Sequence, residues 1–180
     1  MNNRDTLKQT RKTFFAYRNG IVADTLRRNG DPHELIMGCQ LTDVMTIAQN
    51  LGTNAELAEA FWSDRKHREC RMIAPMLYPA TSMTMKTAMT WALDVESNEI
   101  ADILCHQLLR RLDYAQAMVR ELLKHEKQQV RYTAFRLLLN ILLIDNCDRS
   151  MNLHPIVECE LQTAPAHLKP LLNSILEELC

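Results

Sequence analysis

All four glycines of this 180-residue chain, Gly20, Gly30, Gly38 and Gly52, fall within the first 52 positions. The remaining 128 positions therefore lack the residue that tight hairpins and phosphate-cradling loops use most, since only glycine takes the left-handed backbone region without a Cβ penalty. Apolar residues in that stretch recur at three- and four-residue spacing and do not alternate, which is the periodicity of helices. Both features predict an all-α chain. Its length suits a single helical-repeat domain over 1–180, and a 47% hydrophobic share beside 24% charged residues is enough to build a core.

Local signals divide the chain into short helices. The spacing predicts helices over Thr6–Arg18 and Ile21–Arg28, stopped by Asn19-Gly20 and Asn29-Gly30. Asp31-Pro32 opens a turn or short helix. Thr42 is placed as the cap of Asp43–Asn50, and Thr53 with Glu56 as a capping box for a helix through Trp62. A helix over Asp64–Tyr78, capped by Ser63, should be kinked by Pro75 and ended by Pro79. Ser82, Ser97 and Asp113 start helices through Leu93, Leu112 and His125. Gln128–Ile144 is apolar nearly all round and so must be central. A polar turn over Asp145–Ser150 precedes helices at Leu153–Gln162 and Leu168–Leu179, the last interrupted by Pro170. Connections of two to four residues force neighbouring helices antiparallel, so the expected architecture is a right-handed superhelical stack of helix pairs, a solenoid of the HEAT or armadillo kind.

Several function classes are set aside by what the residues do not form. The six cysteines (Cys39, Cys70, Cys105, Cys147, Cys159, Cys180) are widely separated and have no Cys-x-x-Cys, so core thiols are expected and neither a metal nor a cofactor is. The six histidines are scattered, with no Ser or Cys at a suggestive spacing. Met1 is followed by Asn2, Asn3, Arg4 and Asp5, and no run approaches the ~18 apolar residues of a membrane span, so a cytoplasmic chain with no membrane partner is expected. A net charge of −1 argues against coating nucleic acid through bulk charge. The charge is uneven, however: residues 65–136 hold twelve Lys or Arg against eight Asp or Glu, and residues 137–180 hold two against six.

Within the basic middle, Ile100, Ile103, Leu104 and Leu108 form one buried stripe, and Asp102 projects from the other side one turn beyond Asn98. By spacing alone Asp102 reads as a solvated carboxylate. Arg110 and Arg111 suit a helix C-terminus, and with Arg120, Lys124, Lys127, Arg131 and Arg136 they either line a phosphate-binding groove or form ordinary helix surfaces.

The blocks Leu57-Ala58-Glu59-Ala60-Phe61-Trp62, Arg68-Glu69-Cys70-Arg71 with Ala74, Trp91, Ser97-Asn98-Glu99-Ile100-Ala101-Asp102 and Val130-Arg131-Tyr132-Thr133-Ala134 follow one another in an order and spacing that resembles the DNA alkylation repair family of AlkD-type glycosylases, over roughly residues 40 to 145. The resemblance implies a HEAT-like solenoid whose concave, basic face holds duplex DNA. It also implies release of 3- and 7-alkylated purines by cleavage of the N-glycosidic bond, without flipping the base into a pocket. Asp102 matches the carboxylate that faces the deoxyribose, where it would stabilise an oxocarbenium-like state electrostatically. Arg131 matches a groove arginine, and Arg68, Arg71, Arg110, Arg111 and Lys127 are the further cations expected to contact DNA. Asn98 stands where the family's active members carry tryptophan, and the second aromatic of a C-terminal repeat has no counterpart here. The expectation is a monomeric, DNA-binding solenoid that, if active, is a DNA N-glycosylase on alkylated purine nucleotides. The alternative is a catalytically inactive HEAT-like scaffold that binds a protein partner on its concave surface.

Overall fold

The computed structural model describes residues 3–144 and 153–179. Eleven α-helices, and no strand beyond an isolated bridge, occur among them. None of the helices is long and apolar enough to cross a membrane. The expected polar turn over Asp145–Ser150, and Cys147 and Cys180, lie outside the described residues. The chain divides into two compact units, Met1–Met83 and Thr84–Cys180.

The first unit contains α1 (Asn3–Ala16), α2 (Gly20–Arg28), α3 (Leu41–Leu51), α4 (Ala55–Trp62) and α5 (Arg68–Leu77). α5 packs against α3 and α4, and α1 against α4. Several helix starts move from their sequence positions because a better cap lies next to the expected one. The Asn54 side chain, not Thr53, accepts the Leu57 amide at 2.9 Å. α3 begins before Thr42 because the Asp43 carboxylate takes the Gln40 amide at 3.1 Å. α5 begins at Arg68 and not after Ser63, since the Asp64 carboxylate is held by Arg11 and by His67 Nδ1 instead of capping a first turn.

Residues 31–40 form a strap between α2 and α3. The Asp31 carboxylate accepts the His33 amide at 3.0 Å and meets His33 Nδ1 at 2.7 Å, so Asp31-Pro32 makes a turn and no helix. Leu35 bridges the segment before α5, donating its amide to the Lys66 carbonyl at 2.8 Å and accepting from the Arg68 amide at 3.0 Å. Gly38 has φ +78° and sits so close to the start of α2 that a Cβ would lie 2.2 Å from the Asn19 carbonyl oxygen, which is why glycine is needed there.

The ion pairs of this unit set its acid sensitivity. Burial works to raise the Asp64 carboxyl, but hydrogen bonds from His67 and Arg11 outweigh it and hold the group below the usual carboxylate range. Asp31 is depressed likewise, by His33 against burial. A carboxylate that ionises more readily in the folded chain contributes stability above its unfolded pKa of about 3.9 and loses it as pH falls through the folded value. Thermal melts should therefore change little from about pH 7 to 5 and fall progressively below about pH 4. Asp64→Asn should show a shallower acid limb than wild type, and parallel limbs in both proteins would remove Asp64 as a cause.

The second unit contains α6 (Met85–Leu93), α7 (Asn98–Gln107), α8 (Ala115–Leu123), α9 (Gln128–Leu143), α10 (His154–Thr163) and α11 (Lys169–Leu179). α9 is its centre, packed against α6, α7, α8 and α11, as an all-round apolar helix requires. Val130, Ala134, Phe135, Leu137, Leu138 and Ile141 are all buried on it. α7 stops at Gln107 because Leu108 leaves helical geometry (φ −128°, ψ −63°), and a short 3-10 turn, Leu109–Arg111, follows. Pro170 is the second residue of α11, where a missing N–H costs nothing, so it opens that helix and does not interrupt it. Trp62, Trp91, Cys39, Cys70 and Cys105 are core side chains in their respective units, whereas Cys159 is exposed.

Candidate nucleic-acid interface

Asp102 and Asn98 are positioned by the start of α7, where the Ser97 hydroxyl caps the Ile100 amide at 3.3 Å. Burying Ile100, Ile103 and Leu104 fixes the roll of the helix and leaves Asp102 half-exposed, at 33% of its side-chain surface. α9 packs alongside and brings up two side chains one turn apart, Tyr132 and Arg136. Arg136 engages the carboxylate through both nitrogens, Nε to Oδ1 at 2.7 Å and Nη2 to Oδ2 at 2.9 Å. The Tyr132 hydroxyl donates to Oδ1 at 2.9 Å. Asn140 extends the network, donating to the Arg136 carbonyl at 2.9 Å and meeting His106 Nδ1 at 3.4 Å.

This arrangement changes the electrostatics of Asp102. A bidentate guanidinium cancels most of the field of a carboxylate at a distance and occupies the lone pairs that would otherwise face a ligand. The Asp102 hydrogen bond raises the Arg136 guanidinium pKa against the effect of burial, so the guanidinium stays charged. Burial and then the adjacent carboxylate push the Tyr132 phenol well above its ordinary value, which keeps it a neutral donor.

The six expected DNA-contacting cations fall into two groups. Arg68 and Arg71 are withdrawn from any surface, at 3% and 0% exposure. Arg68 donates to the Cys39 carbonyl at 3.3 Å and pairs with Glu69 at 2.9 Å. Arg71 donates to the Trp62 carbonyl at 2.8 Å with its guanidinium 3.6 Å from the Trp62 ring centroid. Both are corrected from DNA contacts to structural clamps of the first unit, since a side chain so buried cannot offer its guanidinium to a phosphate. In the second unit, Arg131 is paired with Glu160 of α10. Arg110 is half-buried, while Arg111 and Lys127 stand exposed and form no ion pair among the described residues.

Asn98 lines an open cleft of about 310 Å³ together with Gln128, Gln129, Tyr132, His167 and Leu168. Tyr132 thus touches both the cleft and Asp102. Gln129 Nε2 is buried without a hydrogen-bond partner. Sequence reading placed Arg136 only in a basic series, Tyr132 only in a resemblance block, and Gln128, Gln129 and His167 in no site. The four-residue spacing of Tyr132 and Arg136 on a helix expected to be central was the available signal.

Asp64, His67 and Cys70 of the first unit bring donor atoms within 4.8 Å of one another and are the described residues that could hold a metal ion. The Arg11 guanidinium is already bonded to that carboxylate, and a cation would have to displace it. Burial raises the Cys70 thiol well above its usual range, which further disfavours the thiolate a metal would require.

An all-helical chain built from short packed helices has the fold class of HEAT-like repeat proteins. The chain belongs to the DNA alkylation repair enzyme family, whose model matches residues 10–159. A solved structure from a family described as related to the HEAT-like repeat DNA glycosylases, with affinity for branched DNA structures, is similar over 96% of this chain and 74% of its own, with a TM-score of 0.76 and 14% sequence identity. At that identity the likeness establishes the fold. No curated protein sequence matches the chain significantly.

Proposed function

We propose that this chain binds DNA, preferring branched structures to plain duplex, and that it has lost appreciable glycosylase activity. The observation that carries the reading is the bidentate Arg136–Asp102 pair with the Tyr132 hydroxyl on the same carboxylate. Stabilising a developing sugar cation takes an uncompensated negative field, and here a guanidinium on the same two oxygens offsets it. Asn98 in place of the family's tryptophan also removes an aromatic wall against which sugar and lesion would be positioned. Binding is supported by family membership and by exposed Arg111 and Lys127, local cations that act on phosphates despite a net charge of −1. Lys127 also stands at the N-cap of α9, a terminus with no side-chain cap and no acidic residue in its first turn, which favours an anion. The preference for branched DNA is taken from the affinity described for the structurally similar family.

The enzymatic version is tested by release of 7-methylguanine from alkylated duplex DNA. Wild type and Asp102→Asn are expected to be indistinguishable from the no-protein background. Release by wild type that disappears in Asp102→Asn would restore Asp102 as a catalytic residue.

A scaffold that binds a protein partner is the second reading, favoured by the engagement of Arg68, Arg71 and Arg131 within the chain itself. Recovery of a stoichiometric protein partner, with no affinity for any DNA at low salt, would select it.

A further inference from the structure

The cleft beside Asp102 has a lining suited to one kind of ligand. Of its six residues, Asn98, Gln128 and Gln129 end in carboxamides, each with two N–H donors and a carbonyl acceptor. Tyr132 has its hydroxyl committed to Asp102 and so offers its ring. The exposed His167 and the buried Leu168 complete the lining. None of the six carries a fixed charge, so the cleft lacks the guanidinium or ammonium that holds a phosphate strongly. Paired amide donors and acceptors beside aromatic and apolar walls are the chemistry that reads the edge of a nucleobase and stacks on its face. Independently of this composition, Gln129 Nε2 is a buried donor without a partner, and buried N–H groups are almost always satisfied.

We propose that this cleft takes one unpaired nucleobase, with the carboxamides of Asn98, Gln128 and Gln129 on its hydrogen-bonding edge and the Tyr132 ring against its face. The proposal rests on the DNA-binding reading and deepens it. At about 310 Å³ the cleft is at the small end of ligand pockets, room for a single base and not for a run of strand. A paired base inside a duplex cannot present its Watson–Crick edge to protein amides, whereas a branch point or flap supplies bases that can. Asp102 and Arg136 then act as positioning residues, fixing the Tyr132 ring through its hydroxyl.

The test is an anisotropy titration of two labelled forked DNAs at low salt, identical except that one carries an unpaired adenine at the branch and the other an abasic tetrahydrofuran there. Wild type is expected to bind the adenine fork about tenfold more tightly, the scale of losing one stacked base. Gln129→Leu and Gln128→Ala, checked by circular dichroism for an unchanged fold, should bind both forks near the weaker level. Equal affinity of wild type for the two forks would overturn the base site and leave DNA binding standing, as would full discrimination retained by both variants. A second readout follows the side-chain amide resonances of Asn98, Gln128 and Gln129 as adenosine is added to millimolar concentration. Selective shifts of those resonances, with neither fork bound, would keep the base site and defeat the DNA-binding reading. No shifts and no fork binding would defeat both.

Discussion

Glu69→Ala is expected to destabilise the protein by about 3–5 kcal/mol, the scale of removing one member of a buried ion pair. Glu69 is fully buried, and its carboxylate has three jobs: it pairs with Arg68 at 2.9 Å, accepts the Gly38 amide at 2.9 Å and accepts the Met37 amide at 3.2 Å. Truncation leaves a buried guanidinium without its counter-charge and two strap amides without their acceptor, and each loss costs more than the contact itself gained. In a chain of this length the melting temperature should fall by roughly 10 °C. The exposed Lys66–Glu34 pair in the same unit, with both side chains about two-thirds accessible, is a fair control. Lys66→Ala should cost under about 1 kcal/mol because solvent screens the pair. Urea unfolding of the three proteins decides the matter, and a Glu69→Ala loss no larger than that of Lys66→Ala would refute the clamp.

Much of the fold was legible in the sequence. The absence of glycine beyond Gly52 and the apolar periodicity pointed to the helical class, and the all-round apolar character of Gln128–Ile144 to a central helix, found at Gln128–Leu143. What local pattern could not settle was which of several adjacent polar residues caps a helix. Asn54 wins over Thr53, and Asp64 is drawn away by Arg11 and His67, because side-chain partners remote in sequence decide such competitions. The strap at 31–40 was equally hidden, since the Leu35–His67 bridge and the Glu69 clamp join positions more than thirty apart.

The site was legible only in part. Asp102 and Asn98 were singled out, but the same blocks that suggested a DNA groove also contained Arg68 and Arg71, which α5 turns into the interior. Sequence marks a basic residue as available for phosphate, and only packing reveals whether it is already spent on a carbonyl, a carboxylate or an indole ring. Gln128 and Gln129 carry no charge and lie thirty residues from Asn98, so no local motif joined the three carboxamides into one cleft.

A second large effect is expected from the exposed cations of the second unit. Each phosphate contact removed should flatten the dependence of log K on log salt by about 0.9, so Arg111→Ala with Lys127→Ala should reduce the slope by roughly 1.8. Reversing both charges, Arg111→Glu with Lys127→Glu, should weaken binding at low salt by about two orders of magnitude or more, because attraction is replaced by repulsion at the phosphate surface. Neither side chain is buried, so the melting temperature should move little, in contrast to Glu69→Ala. Affinity and salt slope unchanged in the double reversal would place the DNA surface elsewhere on the chain.

The most direct measurement is a competition titration at low salt, in which a labelled four-way DNA junction bound to the wild-type protein is displaced by unlabelled junction or by linear duplex of equal length. The junction is expected to compete at least about tenfold better, and raising the salt should release it steeply. Equal competition by the two DNAs, or a junction that does not bind at all, would contradict the assignment of this chain as a binder of branched DNA.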